Sequence, residues 1–413
     1  MAAYEPLDLD YLGDLMHSHL GNVMERYFRP RLLGRENLPA SGPAILAPNH
    51  SGNAFPYDAM VFDALLWQRG GMTPEAKFRS TFEKELAFTW WMNPFGLDNF
   101  WRRGGGVDVT YDNFDRLMAR GERIVYYPEG VPGIGKGFQN RYRLQPFKTS
   151  FVRLAAKHGV PVHPVYVVNG EWIIPFNFML KPVDRLFSRV FHVPFLPLPG
   201  ALLAISWPWV WYLSLPARLI FKIGTPIDVA ARVREAGIAD PETADREPLA
   251  RVAESIRADM QQELDRLVAR YGRSPYHLRS LVRSFRNARG ARASMFPISW
   301  PVQWVRHDRD RRRPPARSRL HAILRDFDLA AFYVPFGWPL LSLARTFRKP
   351  PCGYRGLPRN VARELRGNFH WRLSERPLPP KPASAAAACE PPRATRGPEP
   401  APPPAPAVGS ASR

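Results

Sequence analysis

The chain has 413 residues, 58 Lys and Arg against 37 Asp and Glu, a net charge of +21 and a pI near 10.4. That length fits one large domain with an appendix better than two equal domains. Its two cysteines, Cys352 and Cys389, are too few and too poorly spaced for a disulfide framework or a zinc site, so no metal is expected. The start lacks a basic segment followed by a signal-type apolar core, and the expected compartment is the cytoplasm.

In chain order, Leu12, Leu15, Met16, His19, Val23, Met24 and Tyr27 recur at helical spacing and predict an amphipathic helix that packs on the following domain or lies on lipid. Residues 43–48 (PAILAP) read as a short buried strand, and residues 57–68 (YDAMVFDALLWQ) as a helix. Residues 113–120 and 150–158 read as helices, with strands at 124–127 and 162–168 between and after them. Leu249, Val252, Ile256, Met260, Leu264 and Leu267 form one apolar stripe and predict a long helix at 246–271. The alternation gives the fold class: α/β, a mixed sheet flanked by helices, with an N-terminal amphipathic helix and a basic C-terminal extension.

Asn49-His50-Ser51-Gly52 falls on the loop between the first strand and the first long helix, where function concentrates on a rigid scaffold. Histidine is the side chain best suited to take a proton near neutral pH, and a carboxylate partner fixes its tautomer. Asp58 is the first candidate partner, with Asp63 behind it on the helix interior. A straight helix would place groups at this offset of eight residues about 12 Å apart and roughly 80° out of phase. Gly52, Asn53 and Pro56 instead predict a bulged loop, with Asp58 in the first turn of the helix and folded back toward His50.

Residues 130–136 (GVPGIGK) fit the phosphate-loop spacing, but Gly137 follows where that loop needs Ser or Thr for magnesium. The residues beyond lack an amphipathic helix start, so the phosphate-binding helix N-terminus is missing. The segment reads as a flexible loop, with Lys136, Arg141 and Arg143 available to an anion, or as a structural glycine-rich turn.

Four ordered blocks, Asn49-His50 with its downstream Asp58, residues 96–102 (GLDNFWR), Tyr127-Pro128-Glu129-Gly130, and residues 160–165 (VPVHPV), resemble those of the lysophospholipid and glycerol-3-phosphate acyltransferase family. The resemblance covers roughly residues 35–230 and departs in one place, since most of the family has four residues between His and Asp where this chain has seven. It implies that His50 deprotonates an acceptor hydroxyl, which attacks the thioester of acyl-CoA or acyl carrier protein with no acyl-enzyme and no bound cofactor. By the same resemblance Asp58 orients His50, Arg102 or Arg103 binds the acceptor's phosphate, Glu129 and Gly130 shape the acceptor pocket, and Pro164 shapes the donor side.

Residues 271–375 hold 22 Lys and Arg against 6 Asp and Glu, or +16. Such a block seeks a polyanion. Interleaved Trp300, Trp304, Phe332, Tyr333, Phe336 and Trp338, with Trp207, Trp209, Trp211 and Tyr212 upstream, favour anionic membrane lipids over nucleic acid, unless these rings are core. Two apolar stretches, 190–217 and 329–344, are broken by prolines and read as interfacial contacts, giving peripheral or monotopic attachment at the cytoplasmic face of a membrane. The expected organisation is an N-terminal helix (1–33), a phospholipid/glycerol acyltransferase domain (34–272), a basic aromatic-rich extension (273–375) and a disordered Pro/Ala-rich tail (376–413). Two further readings stand beside the phosphorylated acceptor: a neutral mono- or diacylglycerol or other alcohol as acceptor, and a non-catalytic lipid-binding protein.

Overall fold

A computed structural model describes residues 9–16, 20–53, 55–70, 78–82, 104–180, 206–288, 292–300 and 318–337, with the separate positions 182, 203, 302, 303, 305, 306 and 339–341. Arg102, Arg103, Trp304, Trp338, most of the apolar stretch at 190–217 and the Pro/Ala-rich tail lie outside the described residues.

Seven strands form one sheet in the order β1-β7-β6-β2-β5-β3-β4. They are β1 Arg31–Leu33, β2 Ala44–Pro48, β3 Phe78–Phe82, β4 Val107–Asp108, β5 Arg123–Val125, β6 Val162–Val168 and β7 Ile220–Ile223. Every pairing is parallel except β6 with β7, so the sheet is mixed, as expected. The central strands β2 and β6 are buried at every position, which is why both read as unbroken apolar runs. Their alternate residues feed two cores. Leu46, Val125, Val165 and Val167 face one side, while Ile45, Ala47, Ile124, Tyr166 and Val168 face the other.

The second core is roofed by helices α3 (Tyr111–Ala119), α5 (Thr149–His158), α6 (Val229–Glu235) and α7 (Arg246–Tyr271). The hydroxyl of Thr110 caps α3 by accepting from the Asn113 amide at 3.2 Å, and Asp228 caps α6 through Ala231. All six residues of the predicted stripe on α7 are buried, and its bounds are the predicted ones.

The first core holds helix α1 (Leu9–Leu15), a π-helical turn at Val23–Phe28 and helix α2 (Tyr57–Arg69). Of the two expectations for the N-terminal segment, the structure has it pack on the domain: Leu12, Leu15, Val23, Met24 and Tyr27 are all buried. The extension does not stand apart either. Trp300 is 1% exposed and wedges edge-on against Tyr27 and Tyr57, with its indole N–H donating to the Ser294 carbonyl at 3.0 Å. Phe332, Leu329 and Leu341 join the same core. These residues pack the described part of 292–341 onto the first core, so of the two readings for Trp300 and Phe332 the structure has core packing, worth about 2–3 kcal/mol per fully buried large side chain. Tyr212 is likewise fully buried, accepting at its backbone carbonyl from the Tyr57 hydroxyl at 3.0 Å. Among the described residues no helix is long and apolar enough to cross a membrane.

Candidate active site

The parallel strands β5, β2 and β6 lie side by side and end at the same edge of the sheet. Their carboxyl ends deliver Tyr127 and Glu129, then His50, then Glu171, which is where open α/β sheets place ligands.

Asn49 sets the position of His50. Its side chain is fully buried and continues the β2–β6 ladder, with Oδ1 accepting from the Val167 amide at 2.7 Å and Nδ2 donating to the Val167 carbonyl at 3.3 Å. The His50 backbone is then held at both ends. Its N–H donates to Glu129 Oε1 at 2.7 Å, and its carbonyl accepts from Lys136 Nζ at 2.6 Å. The imidazole stacks on the Tyr127 ring with centroids 4.3 Å apart and planes 21° apart. Behind it runs a short helix, α4 (Val131–Ile134), so close that a Cβ on Gly133 would stand 2.7 Å from His50 Cδ2 and 2.6 Å from Glu129 Cβ. Gly133→Ala is therefore expected to displace the imidazole and lower kcat about 100-fold, since ångström-scale misplacement of a reacting group has that effect; unchanged kcat in a steady-state assay would show that the wall can yield.

The loop from Ser51 to Tyr57 does fold Asp58 back, but onto Ser51. Ser51 Oγ donates to Asp58 Oδ2 at 2.6 Å, and among the described residues no hydrogen bond or ion pair joins Asp58 to the His50 ring. This corrects the expected direct pairing. Ser51 is itself buried and turned inward between His50 and the start of α2, so it meets the carboxylate first. The loop is pinned from the β6 side: Asn53 Nδ2 donates to the Gly170 carbonyl and Asn177 Nδ2 to the Gly52 carbonyl, each at 2.8 Å. Asp63 is engaged by the Ser80 hydroxyl at 2.6 Å.

Glu129, Gly130 and Lys136 hold the frame of the site. Glu129 is fully buried and clamps two amides, those of His50 and Gln145, both at 2.7 Å. Gly130 adopts φ 58°, a conformation that favours glycine, at the turn from Glu129 into α4. Lys136 reaches no open surface: its side chain and that of Glu171 are both 0% exposed and form an ion pair at 3.1 Å. This disposes of the phosphate-loop alternative, because the lysine that would hold phosphates is spent inside the protein. Pro164 sits within β6 opposite Ala47, and its carbonyl takes the Gly224 amide at 2.8 Å where the antiparallel ladder with β7 ends. Lacking an N–H of its own, it closes that ladder.

Sequence reasoning missed Tyr127 as a stacking partner, Ser51 as the residue that takes Asp58, and Glu171 altogether. Glu171 follows β6 directly, but its partner lies 35 residues away in sequence and nothing local marks the pair.

Electrostatics set the protonation state of His50. Burial, and then the Lys136 cation, push the His50 pKa down to about 3, so the imidazole is in its neutral form across the physiological range. Burial pushes Asp58 up, opposed by the Ser51 hydrogen bond, and takes Asp63 to about 7. Burial also pushes Glu129 up, against the Lys136 cation and the amides of Gln145 and His50. As pH falls, the unfolded chain protonates His50 at its ordinary value before the folded chain does. His50 thus costs no stability above about 6.5 and destabilises the fold progressively as pH falls from there toward about 3. The acid limb of kcat/KM assigned to this base is expected well below pH 6.5; a limb centred at the ordinary histidine value would contradict the buried, Lys136-facing geometry.

Residues 29–168 match the model of the family described as Acyltransferase. They form an acyltransferase-family domain. The match takes in β1 to β6 and every residue of the site from Asn49 to Lys136, with Glu171 just beyond it. Among similar proteins, an uncharacterized protein of Mycobacterium leprae is 30% identical over 266 residues, covering 63% of this chain and 66% of its own. Uncharacterized proteins of Mycobacterium tuberculosis and Mycobacterium bovis are 28% identical over 244 residues, 59% of this chain. The aligned part spans 63% of the length of those two relatives. A solved structure, the 1-acyl-sn-glycerophosphate acyltransferase PlsC from Thermotoga maritima, is 17% identical, covering 59% of this chain and 79% of that one with a TM-score of 0.32. That likeness carries no argument about substrate.

Proposed function

We propose that this acyltransferase moves a fatty acyl group from an acyl-CoA or acyl carrier protein thioester to the hydroxyl of a lysophospholipid or glycerol phosphate, such as 1-acylglycerol-3-phosphate. The observation that carries the reading is a histidine clamped by its backbone at the carboxyl ends of three parallel strands, within a domain of this family. In the reaction the imidazole takes the hydroxyl proton as the acceptor oxygen bonds to the thioester carbonyl carbon. The tetrahedral adduct then expels the thiolate, which recovers the proton. A new C–O bond replaces a C–S bond, no residue is acylated, and the thioester is a co-substrate rather than a bound cofactor. Asp58 acts through Ser51 as a positioning group. The acceptor's lipid character puts the site at the cytoplasmic face of a membrane, with peripheral or monotopic attachment and anionic lipid as the polyanionic partner.

One observation supports a second acceptor class. Lys136, one of the expected anion ligands, is spent on the His50 carbonyl and Glu171 and offers a phosphate no free charge, while Arg102 and Arg103 lie outside the described residues. A neutral mono- or diacylglycerol would meet no such need. The test is a panel of lysophosphatidic acid, other lysolipids and mono- and diacylglycerol, each offered to the purified protein with long-chain acyl-CoA and with acyl carrier protein thioester. Preference for the phosphorylated acceptors is expected. Preference for neutral ones would establish the second class, and vesicle binding without any transfer would make the chain a lipid-binding protein.

A further inference from the structure

Helix α8 (Leu278–Asn287) has no buried residue. Leu278, Leu281, Val282 and Phe285 fall within an arc of about 100°, the width of an apolar face. Leu278 is 66% exposed and Val282 58% exposed, while Leu281 leans on the first core. Next to this stripe on the helix wheel come Arg279, Arg283 and Arg286, all exposed. The third face is the attached one, with Ser284 Oγ donating to the Arg26 carbonyl at 2.7 Å.

The apolar stripe does not stop at the helix. Phe285 meets Phe296 edge-on at 5.9 Å, and Phe296 and Ile298 are exposed. The Ile298 carbonyl accepts from the Tyr333 hydroxyl at 2.8 Å, and Tyr333, Val334 and Phe336 are exposed. The Phe336 amide in turn bonds Ser206, whose neighbour Trp207 is exposed. These links set the exposed apolar residues of α8, 296–298 and 333–336, with Trp207, on a strip of neighbouring segments that also holds the buried Trp300 and Phe332. Residues 278–300 carry five arginines (279, 283, 286, 289 and 292) and no Asp or Glu.

We infer that this strip is the docking surface of the protein, and that its occupant is a bilayer containing anionic phospholipid. Exposed aliphatic and aromatic side chains enter the headgroup boundary while the row of arginines pairs with lipid phosphates, the division of labour of an interfacial helix. A soluble acidic partner would account for the arginines but not for the width of the apolar strip. The inference rests on the lipid-acceptor reading for its purpose, yet binding needs no turnover, so the two fail separately.

The test is flotation of the full chain with vesicles of phosphatidylcholine alone or mixed equally with phosphatidylglycerol. The protein is expected to float with the anionic vesicles and to be released as ionic strength rises from about 0.01 M to about 1 M, where the screening length falls from ~30 Å to ~3 Å. The triple variant Leu278→Ser, Val282→Ser, Phe285→Ser is expected to lose about 100-fold or more in partitioning. Arg279→Gln, Arg283→Gln, Arg286→Gln is expected to lose about 100-fold at low salt and much less at high salt. Both change exposed side chains and should keep the wild-type melting temperature. Absence of wild-type binding to anionic vesicles overturns the inference. So does full binding by the serine variant, or a serine variant that only breaks up a dimer of the chain.

Discussion

His50→Ala is expected to lower acyl transfer by about 10²- to 10⁴-fold, the range attributable to a positioned general base, or about 2.7–5.4 kcal/mol of barrier. The fold should survive, because what holds this residue passes through its backbone: the amide to Glu129 and the carbonyl from Lys136. Among the described residues the ring's own contacts are the stack on Tyr127 and the close approach to Gly133. A large kinetic loss with an unchanged melting temperature is therefore the expected signature, read from steady-state rates beside thermal unfolding. Transfer at the wild-type rate would remove His50 from the chemistry.

The largest effect on stability is expected from Lys136→Met. The substitution leaves the Glu171 carboxylate fully enclosed without its cation, which costs about 3–5 kcal/mol when a buried pair is broken from one side. For a domain of this size that lowers the melting temperature by roughly 10 °C. Adding Glu171→Gln should recover much of the loss, since the amide oxygen can still accept from the Tyr142 amide, now 2.9 Å from Glu171 Oε1. Activity should not recover with it, because the His50 carbonyl still lacks the Lys136 donor. The single variant should also move the acid limb of kcat/KM upward, as the cation that holds the His50 pKa down is gone. A double-variant cycle in melting temperature and kcat separates the two roles; additive losses would show that the pair is not coupled.

Much of this architecture was legible from periodicity. β2, β6, α2 and α7 announced themselves because each buries a full face or both faces, and α7 did so to its end residues. β4, two residues long, and β1, three long, carry too few positions to display any period. At the site the motif order located His50 and Glu129. What those side chains do depends on pairs distant in sequence, such as Lys136 with Glu171 and Asn49 with Val167. Local spacing predicted the return of Asp58 correctly but not its destination, because Ser51 lies nearer and is turned inward. Of the two readings left open for Trp300, membrane boundary and core, the structure has core for a related reason: the arginines around it describe the average surface, whereas its own burial is decided by Tyr27 and Tyr57.

The central claim, direct transfer onto an acceptor hydroxyl activated by His50, is tested most directly by following a labelled acyl group. The wild-type protein is mixed with labelled acyl thioester, with and without the lipid acceptor, and the label is located in thioester, protein and lipid. The predicted result is label leaving the thioester only when acceptor is present, appearing as lipid ester and never on the protein. Label bound covalently to the chain, or ester formed equally well by His50→Ala, would contradict it.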